Sequence, residues 1–129
     1  MKRRESALKP VLFWNGIVDL VCVLVLSVLP RINAPILGYA TFDSQGAFMA
    51  GGWAIATLAL GVTRIWTSNR TKYHEAMLLM GLLEGLSLAV FCAINIAAGL
   101  MPVAQVALPL AVGVIFGALY LICATLRDR

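Results

Sequence analysis

The stretch "FWNGIVDLVCVLVL", residues 13–26, decides how this chain is read. Its apolar run continues to Pro30. As a helix it is long enough to cross the roughly 30 Å hydrocarbon core of a bilayer. Yet Asp19 lies near its centre, with Asn15 one turn before it. A charged side chain there costs about 2.5–3.5 kcal/mol on insertion scales. An acid kept at that cost is interior, paired or protonated, and it marks a candidate site.

The composition points the same way. Apolar residues make up 61% of the 129 residues and charged residues only 12%, with mean hydropathy +0.92. Soluble domains carry about a quarter charged residues. A water-soluble fold of this size has too much surface to hide that much apolar side chain. The net charge is +4, but the cations cluster at the ends of apolar runs. No basic face is interleaved with aromatics, so nucleic acid is not an expected partner. The lipid bilayer is.

Four segments are long and apolar enough to span, at about 11–29, 46–66, 76–98 and 103–126. The expected fold is all-α, an integral membrane bundle of four transmembrane helices forming one domain over residues 1–129. Lys2, Arg3 and Arg4 resemble the start of a signal peptide. However, the apolar run is longer than usual and no small-x-small cleavage site follows, so an uncleaved first helix is expected.

Placing the N-terminus inside puts Lys2, Arg3, Arg4, Lys9, Arg64, Arg70, Lys72, Arg127 and Arg129 at inner ends and only Arg31 outside. The positive-inside rule therefore puts both termini in the cytoplasm, and the expected location is a bacterial-type inner (plasma) membrane, multi-pass. Trp14 and Trp66 then fall near the inner interface, Trp53 near the outer one, and Tyr39 and Phe42 in the outer loop. Asp43 or Ser44 would cap the second helix. Thr71 would cap the third, with Glu75 in its first turn. Gly99 and Pro102 suit a tight outer turn. The 30–45 loop carries the apolar patch "APILGYA". That patch is either a surface loop or a segment lying on the interface or the bundle mouth.

Lipid tails are as apolar as Leu, so small residues that permit close packing do much of the work of holding helices together. Such strips occur at Gly81/Gly85, at Gly113/Gly117, and at Ala50/Ala54 with Gly52/Ala56. They serve contacts within one chain or between protomers, and a homo-oligomer stays open. Pro109 should kink the fourth helix.

A second acid, Glu84, lies in the third span. Both acid-bearing helices run outward, and the rise per residue puts Asp19 and Glu84 at nearly the same depth. At helical spacing, Leu12, Asn15, Asp19, Val23 and Leu26 share one stripe. Glu84, Leu88, Phe91 and Asn95 share another. Facing stripes would make a polar interior, and two neighbouring acids in low dielectric would retain at least one proton. Asp19, Glu84, Asn15 and Asn95 are thus the candidate ligand- or proton-binding residues. The competing reading is a hydrogen-bonded clasp that fixes helix register; an interface with a partner subunit is the third. No cationic partner is expected close to the acids. Arg64 is the nearest, and its side chain either reaches inward or extends to the interface. His74 is expected in solvent.

No Walker loop, dinucleotide fingerprint or nucleophile elbow is present. One histidine and three scattered cysteines, Cys22, Cys92 and Cys123, make no usual metal or haem site. No catalytic residue and no cofactor is expected, and an enzyme acting alone is disfavoured.

The first span ending at Pro30, the "PILGY" loop at 35–39 and the "GAFMAGGWAIATLALGV" start of the second span resemble the DoxX and BphX-like families of small four-helix membrane proteins. The resemblance implies the fold and membrane location, not site residues. Together with the two intramembrane acids, the expectation is a protein of unassigned activity whose polar pocket around Asp19 and Glu84 takes a small lipophilic or cationic ligand, or which supports a membrane-protein partner. The layout is also similar to small proton-coupled multidrug transporters. There Asp19 would stand where the first-helix glutamate stands, and Trp14 would be nearby. This chain differs in having Asp at that place, a second acid in the third helix, and a long first loop.

Overall fold

The computed structural model describes residues 3–27 and 44–126, apart from the Leu26 side chain. The 30–43 part of the first loop, the Asp43 cap, Arg31, Tyr39, Phe42, Lys2, Arg127 and Arg129 lie outside the described residues. Among the described residues the protein is all-helical, with no strand. The helices are α1 (Arg3–Ser27), α2 (Ser44–Ser68), α3 (His74–Ala97) and α4 (Val103–Thr125). All four are long and apolar enough to cross a membrane.

Two boundaries differ from the sequence expectation. Helix α1 begins at Arg3 and carries Pro10 inside it, so it extends two turns past the apolar run. Those turns hold Leu8, fully buried in the bundle, which is why the helix continues. Thr71 does not cap α3. Residues Thr71–Tyr73 form one 3-10 turn, and Tyr73 occupies the cap position without a side-chain bond. Glu75 does sit in the first turn of α3. At the other end, Gly99 adopts φ +67, Gly99 N–H donates to Ile96 O, and Leu100 N–H donates to Asn95 O. These are the two bonds of a Schellman stop, and glycine accepts the left-handed backbone at no steric cost.

The helices pack as two antiparallel pairs. In the first, Gly16 and Gly61 let α1 and α2 meet backbone to backbone. A Cβ on Gly16 would stand 2.8 Å from Gly61 O and 3.2 Å from Arg64 Cβ, and one on Gly61 would stand 2.9 Å from Asp19 Cβ. In the second pair, Gly85 faces Gly117 and Gly113 faces the Gly85 carbonyl. The α3 and α4 strips therefore serve contact within the chain. The α2 strip does not: Gly52 and Ala56 are exposed and only Ala54 is buried.

Three layers follow along the bundle. An apolar core at the end holding the α1 N-terminus joins Leu8, Leu12, Met77, Leu78, Tyr120 and Cys123. A polar layer comes next. The glycine seam of α3 and α4 starts at the depth of that layer, where Gly81 lies under Tyr120 and Gly85 follows Glu84, and runs on to Gly113. Contacts between the pairs run mainly through α1 and α4, while α2 and α3 touch sparsely. Outward faces carry large apolar side chains, among them Phe48, Ile55, Leu83, Phe91 and Ile122. Such a surface is suited to lipid, because in water it would be an apolar patch far larger than monomers expose.

The close approach of α1 and α2 is directly testable. Gly16→Ala should lower the melting temperature in mild detergent, by an overpacking cost of about 1–3 kcal/mol. Gly52→Ala meets nothing within 4 Å. It should leave stability unchanged or raise it by up to about 1 kcal/mol through helix propensity. Equal melting shifts for both would contradict the assigned contact.

Candidate functional site

The polar layer is organised by a residue whose direction the sequence left open. Arg64 is fully buried, four residues before the end of α2. Its Nη1 donates to Asp19 Oδ2 at 2.5 Å, and its Nη2 donates to Glu84 Oε2. The planar guanidinium presents donors in a fixed fork, so one side chain bridges two carboxylates on different helices. Arg64 reaches inward, and the two acids share a cation instead of pairing with each other.

The spacing within α1 and α2 explains the geometry. Gly16 precedes Asp19 by three residues, and Gly61 precedes Arg64 by three. In an antiparallel pair this sets each glycine against the other helix's charged residue. The missing side chains let the backbones close, and the charges then meet across the gap. "GIVD" at 16–19 and "GVTR" at 61–64 form one matched element.

The network continues into α4. Asn15 Nδ2 donates to Asp19 Oδ1 at 3.3 Å, and Tyr120 Oη donates to Asn15 Oδ1 at 2.9 Å. Asn15 turns its amide nitrogen to the carboxyl and its oxygen to the tyrosine hydroxyl, the orientation in which each donor meets an acceptor. Tyr120 reaches Asn15 because its ring lies over Gly81, where a Cβ would stand 2.3 Å from the ring. One chain of polar contacts, Glu84–Arg64–Asp19–Asn15–Tyr120, therefore engages all four helices. Tyr120→Phe should leave Asn15 Oδ1 buried without a donor and cost about 1–3 kcal/mol, read as a lower melting temperature. An unchanged melting temperature would show that this bond is not made.

Burial separates the members. Asn15 and Asp19 are enclosed, at 3% and 5% exposed. The Glu84 side chain is 40% exposed. It lines a shallow, open groove of about 370 Å³ with Leu60 of α2 and Met80, Leu83 and Ser87 of α3. Glu84 is thus the member of the network that a molecule from outside can reach.

Asn95 is not brought to this layer. It lies eleven residues beyond Glu84, about 16 Å along the helix. Its side chain donates to Phe91 O of its own helix, and Phe91 faces outward. The stripe through Glu84 and Asn95 follows a flank of α3 beside the buried glycine face. His74 is not in solvent. It is 4% exposed, and its Nε2 donates to the Ser68 carbonyl. Cys22, Cys92 and Cys123 are free thiols within the helices. Tyr120, Gly16 and Gly61 were not singled out from sequence. The repeated glycine-to-charge spacing is the signal that would have found the last two. No protein-family model matches the chain, and neither a curated protein nor a solved structure matches it.

Proposed function

We propose that this is a DoxX-like multi-pass protein of the plasma membrane, with both termini cytoplasmic. In this reading it holds a small lipophilic ligand by a polar end, in the groove between α2 and α3. One observation carries it: Glu84 belongs to a buried polar network and also opens onto an otherwise largely apolar groove. Intramembrane acids are functional candidates by default, and apolar clefts with a few convergent polar groups are the usual form of small-molecule sites. Native mass spectrometry of the protein released from membranes tests it. A small molecule should accompany the parent chain and be missing from Leu60→Trp, which fills the groove and leaves the charges alone. A ligand-free parent chain would contradict the proposal.

A second reading, an accessory subunit of a membrane complex, is favoured by the flank of α2. Only 11% of its apolar window is buried, against 28% in each of the other helices. A retained partner chain, or a second copy of this one, in the same spectrum would support it. The multidrug-type alternative would rest on Asp19, but Arg64 and Asn15 already occupy both Asp19 oxygens. Glu84 is the better-placed acid.

A further inference from the structure

We infer that the groove accepts a monovalent organic cation with an apolar body, seated with its charge on Glu84. This rests on the ligand-binding reading above and names the chemical class of the ligand.

With both acids ionised, two carboxylates and one guanidinium leave the cluster one negative charge in excess. Asp19 is enclosed, with Arg64 on one oxygen and Asn15 on the other. Glu84 uses Oε2 for Arg64, and no partner among the described residues takes Oε1. In that doubly ionised state the excess charge faces the groove, beside Leu60, Met80, Leu83 and Ser87, and a cation seated there favours that state over the singly protonated one. In low dielectric an unbalanced charge is costly and attracts one opposite charge. A lipophilic cation balances it and buries its apolar body against the leucines and methionine. An anion fails, because the only cation in the cluster, Arg64, is fully enclosed. A metal ion is poorly served, since no group of three His, Cys, Asp or Glu among the described residues could hold one.

The test uses the full chain in a neutral detergent with two probes of matched size and opposite charge, tetraphenylphosphonium and tetraphenylborate, followed by equilibrium dialysis. Saturable binding of the phosphonium is expected, with the borate bound more weakly. Glu84→Gln should weaken phosphonium binding by about 10- to 100-fold, the span expected for losing a charged partner. Gln can still accept from Arg64, so the fold is retained. Leu60→Trp, on the exposed side of the network, should abolish binding without touching a charge. Equal binding of the two probes, or an unchanged affinity in Glu84→Gln, would overturn the cation assignment. If both probes bind equally and Leu60→Trp removes both, the groove still holds lipophilic molecules and only the charge claim fails. If neither probe binds and the native spectrum is also ligand-free, both claims fail.

Discussion

Replacing Arg64 by Met is expected to destabilise the protein by about 3–5 kcal/mol, the cost of breaking a buried ion pair from one side. The size follows from what remains. Asp19 would stay enclosed at 5% exposure, with Asn15 as its one remaining partner in this layer. Glu84 would lose its bond as well. Each acid must then take up a proton or remain an unpaired charge, and either outcome costs free energy. Arg64→Lys should fall between Met and the parent, because a single ammonium keeps the charge but lacks the rigid fork that reaches two carboxylates. Thermal unfolding in detergent, followed by circular dichroism, reads both variants. A Met variant that melts with the parent would mean that Arg64 does not hold the helices together.

The second large effect is expected at the glycine seam. A Cβ on Gly85 would stand 2.7 Å from Gly117 Cα and 2.8 Å from Gly117 N. Those are backbone atoms and cannot rotate aside, so α3 and α4 must separate. Gly85→Ile should therefore cost at least the upper end of the usual overpacking range of about 1–3 kcal/mol. Separation would also draw Tyr120 away from Gly81 and Asn15, spreading the damage into the polar layer. Gly117→Ala should be milder, since its nearest contact is 3.3 Å. The order of melting temperatures, Gly85→Ile lowest, then Gly117→Ala, then the parent, checks the assignment. A reversed order would contradict the packing.

The parts legible in the sequence were those governed by local pattern. Apolar run length gave four helices, and the Gly-xxx-Gly strips of α3 and α4 gave a close contact that the structure makes within the chain. Helical rise put Asp19 and Glu84 at one depth, and both do bond to Arg64. What pattern could not supply was pairing. The direction of Arg64 depends on which helix lies opposite it, and that depends on Gly16 meeting Gly61, residues 45 positions apart. A long basic side chain near a helix end reaches the interface as readily as the interior unless a buried acid waits for it. The α2 strip misled because small residues permit a contact without requiring one: Gly52 faces open space while Gly61 closes on α1. Asn95 shared a stripe with Glu84, but a stripe fixes angle and not depth.

Arg64 and Asp19 form one buried unit that joins α1 to α2. A double-variant cycle is the sharpest check on that unit. Unfolding stabilities are measured for Arg64→Met, Asp19→Asn and the double variant in the same detergent. Asn in place of Asp19 removes the charge that Arg64→Met strands. The double variant should therefore be more stable than Arg64→Met alone, with a coupling of about 0.5–3 kcal/mol. Losses that simply add, leaving the double variant less stable than either single one, would contradict the account.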